Sequence, residues 1–124
     1  MPAKTLDPPK LRVTAPTTSL SLQSLCQRYS VKRGLLPRLT GFSLRAVANW
    51  SRGHAPSAPA LKKLTELKRL FEALARLVDP KDIGPWLLQP NPAFDGSTPL
   101  QVIERGESDR LWRMIYELES GQPD

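Results

Sequence analysis

The stretch SLRAVANWSRG, residues 43–53, has the residue pattern of a short amphipathic helix that ends at a glycine. Arg45, Asn49 and Arg52 recur at spacings of four and three residues, which places their side chains on one face of a helix. Such a polar face either contacts a ligand or lies in solvent, and spacing alone does not separate the two outcomes. The stretch therefore predicts a helix and raises the question of what its polar face does.

The ends and the apolar side of this segment support the helix. Ser43 is a suitable N-cap, because its hydroxyl can accept a hydrogen bond from a backbone N–H of the first turn. Gly53 suits the left-handed turn that often follows the last helical residue. The side chains that we expect to face the interior are Leu44, Val47 and Ala48, with Trp50 beside them.

Charge is unevenly distributed along the 124 residues, whose formal net charge is +6. Residues 1–54 hold nine Lys or Arg and one Asp, a balance of +8, and residues 55–78 have a balance of +3. Residues 79–124 hold four basic and nine acidic residues, a balance of −5. A basic half around a candidate recognition helix is typical of nucleic-acid binding, since cations that neutralise phosphates release counterions. The acidic part is expected to face something other than DNA.

The composition excludes several classes of protein. With 40% hydrophobic residues, the chain can form one domain or two small lobes that share a core. The single cysteine, Cys26, cannot form an internal disulfide, and the single histidine, His54, cannot build a metal site. We therefore expect no metal, no cofactor and a reducing cytoplasm. Residues 1–18 contain no continuous apolar run, so they predict a disordered tail and neither a signal peptide nor a membrane span.

The rest of the pattern predicts an all-α fold with short connections. We expect a helix over 19–29 and then a short helix that begins or bends at Pro37, because proline disrupts a helix interior. Residues 60–79 form the longest predicted helix, whose wide apolar face suits a central core helix better than a coiled-coil dimer. Trp50 and Trp86 lie in apolar patterns and are expected to anchor the core.

Three further helices are predicted after the long one. The first is short and ends at the Pro-Asn-Pro turn of residues 90–92. Thr98 caps the second, Gln101 completes a capping box, and Gly106 ends the helix. The third starts at Ser108. The side chains that it is expected to direct inward are Leu111, Met114, Ile115 and Leu118.

Two segments of the chain resemble a known family. PNPAFDGSTPLQVIERGES, residues 90–108, resembles the signature of the C-terminal domain of MbcA/ParS/Xre-type antitoxins. In that signature a Pro-Asn-Pro turn, a Gly, a Thr-Pro helix start and a Gly-Glu pair occur in this order. RLTGFSLRAVANWSRG, residues 38–53, resembles the degenerate Xre-type helix-turn-helix that precedes the domain. Two ordered signatures are more specific than one motif, and together they cover about residues 20–121.

The resemblance implies a division of the chain. Residues 19–58 would be a helix-turn-helix region, residues 59–79 a central connecting helix and residues 80–124 the C-terminal toxin-binding domain. The expected architecture is thus an N-terminal helix-turn-helix-like lobe joined by a long central helix to a small helical C-terminal lobe. Pro37 departs from the family pattern, which usually has a helix-friendly residue there, so we expect a distorted first helix in the DNA-binding motif.

The resemblance also implies a function. The chain would be the antitoxin of a type II toxin-antitoxin system that blocks a RES-domain, NAD-depleting toxin and represses its own operon at operator DNA. It would not be an enzyme, which agrees with the absence from the sequence of a nucleophile–base pair, a phosphate-binding glycine loop and a metal-ligand cluster. We expect a homodimer and a toxin-antitoxin hetero-oligomer in the cytoplasm. The alternative is a free-standing Xre-like DNA-binding regulator.

Candidate binding residues follow for both partners. Those for DNA are Lys32, Arg33 and Arg38 at phosphates, Arg45 and Asn49 at base edges, and Ser43 and Arg52 in the same segment. Those for the toxin are Glu107, Asp109, Trp112, Arg113, Tyr116 and Glu119. Two alternatives stay open. The helix-turn-helix can serve only for dimerisation or packing, and Trp112 can wedge against the long helix instead of forming a binding patch with Tyr116.

Overall fold

The computed structural model describes residues 14–121, with side chains described from Leu22 onward. Within this range the chain forms seven α-helices, three short 3-10 helices and no strand, which confirms the predicted all-α class. The α-helices are α1 (Thr14–Tyr29), α2 (Leu36–Thr40), α3 (Leu44–Ser51), α4 (Ala58–Leu74), α5 (Ile83–Leu87), α6 (Pro99–Glu104) and α7 (Ser108–Ser120). The 3-10 helices are Arg33–Leu35, Pro80–Asp82 and Pro92–Phe94.

Helix α1 begins at Thr14, earlier than predicted, so residues 14–18 are helical and do not belong to a disordered tail. The rest of the predicted tail, residues 1–13, lies outside the described residues. Leu22 and Tyr29 of this helix are buried in the core, whereas the side chain of Leu20 is outside the described set. Tyr29 packs edge-on against a phenylalanine of α4, with the ring centroids 5.2 Å apart.

Helix α2 starts where proline is tolerated. Pro37 lies in the first turn, where a missing N–H costs no helical hydrogen bond, so the helix begins there and does not bend. It ends after five residues at Gly41, whose φ of +80° is accessible to glycine and whose N–H donates to the carbonyl of Pro37 at 2.8 Å. The predicted start of this helix at Pro37 is thus confirmed, whereas the expected distortion is not observed, since α2 is an α-helix of five residues.

Helix α4 is shorter than predicted and ends at Leu74 instead of Asp79. The amides of Arg76 and Leu77 donate to carbonyls three residues back, at 3.2 and 2.9 Å, so the chain leaves the helix in a tighter turn. Asp79 precedes a proline, which disfavours helical backbone, and its ψ is 130°. Ala75, Leu77 and Val78 lie beyond the helix and pack on the core from the turn.

The buried side chains form one continuous core that contains residues from every helix with described side chains. Helix α1 packs on α3, and α2 packs on α4 and α6. The N-terminal helices α1–α3 and the C-terminal helices α5–α7 thus share one interior. Gly84 of α5 lies directly against the end of α1, since a Cβ built on it would be 1.9 Å from the carbonyl oxygen of Ser30.

Three side chains predicted to face inward do not. Leu44 is 66% exposed, Leu118 is 60% exposed and Ala48 is only half-buried. Each lies at the edge of the apolar stripe of a short surface helix that buries only its central residues, Val47 and Trp50 in α3 and Leu111 and Ile115 in α7. Trp50 anchors the core as predicted, and Trp86 packs against it from a half-buried position.

No helix in the described part of the chain is long and apolar enough to cross a membrane.

Candidate binding surfaces

The turn between α2 and α3 fixes how α3 is presented. The hydroxyl of Ser43 accepts a hydrogen bond from the amide of Ala46 at 3.1 Å, which is the predicted N-cap. Trp50 holds the other side of α3 to the core and meets the ring of Phe42 edge-on, with centroids 5.6 Å apart. Gly53 follows the helix with φ +96°, as predicted. Helix α3 therefore has one anchored face and one free face.

The free face of α3 carries Arg45 and Arg52, both exposed, as the spacing predicts. Asn49 is half-buried at its edge, and its side-chain oxygen accepts a hydrogen bond from the guanidinium of Arg52. Leu44, one position before Arg45 and about 100° around the helix from it, is also exposed. The predicted polar face is thus real, and beside it lies an exposed leucine that the sequence pattern assigned to the interior.

The predicted phosphate contacts divide into two groups. Lys32 and Arg33 are exposed and make no ion pair with the described residues. Arg38 donates two hydrogen bonds to the carboxylate of Glu104 in α6, at 2.6 and 2.8 Å. These hydrogen bonds hold the pKa of Glu104 below its ordinary value and raise the pKa of Arg38. Arg38 is therefore charged but already paired.

Unpaired positive charge is concentrated before residue 70. Within the described residues, the cations that form no ion pair are Arg28, Lys32, Arg33, Arg45, Arg52, Lys62, Lys63, Lys68, Arg69 and Arg113. Only one of them, Arg113, lies in the acidic C-terminal part. One carboxylate, Glu66, lies in the same stretch as the other nine. The surface formed by residues 28–69 is therefore strongly positive.

The acidic C-terminal part is, by contrast, largely neutralised by internal pairs. The described carboxylates there that form ion pairs are Asp79, Asp82, Asp95, Glu104, Glu107 and Glu119. Of the predicted toxin contacts, Glu107 pairs with Arg110 at 3.1 Å and Glu119 pairs with Arg76. Hydrogen bonds from Arg76 hold the pKa of Glu119 below its ordinary value. Asp109 and Glu117 are the described carboxylates in this part that form no ion pair.

Helix α7 displays aromatic side chains beside its buried stripe. Trp112 is 41% exposed and Tyr116, one turn further on, is 70% exposed. Arg113 lies between them in the sequence and is also exposed. The core side of the same helix holds Leu111 and Ile115. The predicted aromatic pair is thus accessible at the surface.

Trp112 also lines a groove of about 310 Å³ where α7 faces α4. The floor of the groove is apolar and consists of Leu39, Leu67, Leu70 and Ile103. Its rim is formed by Lys63, Glu66, Arg69, Ser108 and Trp112. The tryptophan therefore contributes both to the wall beside the long helix and to the exposed surface.

The described residues give little support for metal binding or thiol chemistry. No cluster of His, Cys, Asp and Glu that could hold a metal ion occurs among the described residues. Cys26 is half-buried, and burial raises the pKa of its thiol, which opposes formation of a reactive thiolate. His54 is exposed in the loop after α3. The surfaces with distinctive character are those of α3 and α7.

Comparison with known proteins places the fold. No protein-family model and no curated protein matches the sequence. The chain has the fold of a chain in the crystal structure of the M. tuberculosis MbcT–MbcA toxin-antitoxin complex, with a TM-score of 0.67 and 22% sequence identity. The match covers 84% of this chain and 95% of that one. The resemblance inferred from residues 38–53 and 90–108 thus agrees with the fold.

Proposed function

We propose that this chain is the antitoxin of a type II toxin-antitoxin system and that α7 binds the toxin. The observation that carries the proposal is the exposed pair Trp112 and Tyr116, of which Trp112 also lines an apolar groove. Exposed aromatic side chains next to a pocket are typical of binding hot spots, because they bury a large area with little loss of side-chain freedom. The fold shared with a chain of a toxin-antitoxin complex supports this function.

Aromatic contact, more than charge, is expected to supply the affinity for the toxin. Most carboxylates of the acidic part are paired within the chain, so Asp109 and Glu117 remain to attract a positive partner surface. Two charges at the rim of an interface raise the association rate but add little affinity. Trp112 and Tyr116, with Arg113 beside them, therefore form the energetic centre of the proposed interface.

The toxin that we propose is a RES-domain protein that depletes NAD. This finer assignment rests on the resemblance of residues 90–108 to the antitoxin signature. A site that binds a dinucleotide needs positive potential for the phosphates, and Asp109 at the start of α7 would be attracted to it. In this role the chain acts by binding in the cytoplasm and performs no catalysis of its own.

The double substitution Trp112→Ala with Tyr116→Ala tests the proposal. Co-expression with the product of the adjacent reading frame should yield a stable complex for the wild type and none for the double variant, because hot-spot residues each contribute about 2 kcal/mol or more. The variant should also fail to restore growth of cells that express the toxin. Size-exclusion chromatography of the co-purified proteins and a growth assay measure the two effects.

Leu118→Ala is the matched control for this experiment. Leu118 is on the same helix and is 60% exposed, but it lies two residues after Tyr116, about 200° around the helix, and so on a different side from the aromatic pair. Its removal should leave the complex intact. If the double variant is folded and still neutralises the toxin, the contact surface lies elsewhere, and the turn of residues 90–97 is the next region to test.

We propose in addition that α3 binds operator DNA and represses the operon. This role is supported by the unpaired cations of residues 28–69 and by the exposed face of Arg45 and Arg52. One short helix makes few contacts, so we expect a dimer or larger assembly on a pseudo-palindromic site. The same surface supports the second candidate, a free-standing DNA-binding regulator, which is favoured if no toxin gene adjoins this one.

Asn49→Ala tests whether α3 reads bases. In the free protein the Asn49 amide is bonded to Arg52, and on DNA its amide is suited to an adenine edge. We expect the substitution to cost about 1–3 kcal/mol on the protein's own promoter and much less on random duplex. Fluorescence anisotropy with both duplexes at several salt concentrations measures the difference. An equal loss on both would mean that Asn49 does not read base edges.

A further inference from the structure

Two apolar residues of α3, Leu44 and Ala48, lie beside its exposed cations. Leu44 is the first residue of the helix and is 66% exposed. Ala48 lies one turn later on the same side and is half-buried. Arg45 follows Leu44 directly, and Arg52 lies one turn after Ala48. An exposed leucine beside two arginines that form no ion pair suits a ligand that combines negative charge with a small apolar group.

Duplex DNA offers this combination in its major groove. The phosphates are anionic, and the C5 methyl of thymine is the apolar group that base edges present there. The N-terminal residues of a recognition helix are the ones that reach base edges, and Leu44 is the first of α3. Leucine presents branched methyl groups at its tip, and the Ala48 methyl lies behind it on the same side of the helix.

We propose that Leu44 is a specificity-determining residue that contacts the C5 methyl of a thymine, with Ala48 forming the back of the contact. The proposal rests on the DNA binding by α3 proposed above. A second copy of this chain is the other occupant to consider for Leu44. A two-fold interface would bring the same face of both copies together, so that Arg45 and Arg52 would oppose their own equivalents, which like-charge repulsion disfavours.

The experiment uses the full chain and a footprinted fragment of its own promoter. Each thymine in the protected region is replaced in turn by uracil, which removes the C5 methyl and leaves all hydrogen-bonding groups unchanged. For the wild type, we expect one position in each half-site where uracil weakens binding about fourfold, the effect of exposing one methyl group. Leu44→Ala should bind the thymine-containing site more weakly than the wild type does, by a similar factor. The variant should bind the uracil-containing site as tightly as it binds the thymine-containing site.

Leu61→Ala is the matched control, since Leu61 is 47% exposed and lies on α4, outside the proposed contact. It should retain the full sensitivity to uracil. The proposal is overturned if Leu44→Ala keeps the same uracil penalty at every position. It is also overturned if sedimentation shows that Leu44→Ala dissociates a dimer in the absence of DNA, which would assign Leu44 to an interface between copies. If the wild type does not bind its promoter, the proposed DNA-binding function itself is wrong.

Discussion

The surface of residues 28–69 and the acidic part after residue 78 differ in whether their charged side chains form ion pairs within the chain. In the first, nine cations form no ion pair with the described residues. In the second, the carboxylates mostly neutralise arginines and lysines of this same chain, as Glu104 does for Arg38 and Glu119 for Arg76. The cations of residues 28–69 are thus available to a partner, whereas most carboxylates after residue 78 already form ion pairs within the chain.

This difference changes what each surface can bind. Unpaired cations release counterions when they meet a polyanion, so the first surface is suited to nucleic acid. A carboxylate with a cation of the same chain beside it is partly neutralised, so it attracts a positive partner less strongly than a free carboxylate does. The C-terminal surface must therefore rely on apolar contact, and Trp112 and Tyr116 supply it.

The substitution with the largest expected effect is Gly84→Ala, at the contact between α5 and the end of α1. A Cβ at this position would lie 1.9 Å from the carbonyl oxygen and 2.5 Å from the carbonyl carbon of Ser30. These are backbone atoms and cannot rotate away, so α5 must separate from the end of α1. We expect the free energy of unfolding to fall by about 3 kcal/mol, measured by urea denaturation. Both proposed binding functions should weaken together.

Gly34→Ala is the control for this substitution. Gly34 lies in the 3-10 helix after α1, and nothing lies within 4 Å of a Cβ built there. Its effect on unfolding should be within about 0.5 kcal/mol of zero, as for most surface changes. An unfolding midpoint of Gly84→Ala equal to the wild type would show that the contact relaxes easily. Loss of only one binding function would show that the two regions are independent.

Local features of the fold were predictable from the sequence. The caps at Ser43 and Thr98, the capping box with Gln101 and the left-handed glycines such as Gly106, with φ +78°, all appear as predicted. Each depends on interactions between residues a few positions apart, which the sequence displays directly. The same applies to the exposed face of α3, because helical spacing determines which residues share a face.

Contacts between distant segments were not predictable in this way. Arg38 and Glu104 are separated by 66 positions, and nothing in either local pattern indicates that the two would pair. The exposure of Leu44 and Leu118 depends on how much of each short helix its neighbours cover, which periodicity does not reveal. Gly84 had no sequence signal beyond its identity. For the predicted toxin contacts, the sequence indicated the accessible aromatic pair but overestimated the free negative charge.

A smaller effect is expected from Glu104→Gln, which leaves one cation, Arg38, without its ion pair. Arg38 would lose its bidentate carboxylate partner and become available to a phosphate, because α2 would be the element that crosses the DNA backbone in the proposed helix-turn-helix. We expect tighter DNA binding and a steeper dependence of log Kd on log salt, by roughly one additional phosphate contact. Anisotropy titrations at four or more salt concentrations would measure this slope.

Glu119→Gln makes the same change in net charge and supplies the control. It releases Arg76, which lies in the turn after α4 and not in the helix-turn-helix. If the position of the freed cation matters, Glu104→Gln should steepen the salt dependence and Glu119→Gln should leave it near the wild-type value. Equal increases for both variants would mean that DNA responds to net charge alone and that Arg38 contacts no phosphate. The stability of both variants should change little, because ion pairs this exposed are weakened by solvent screening.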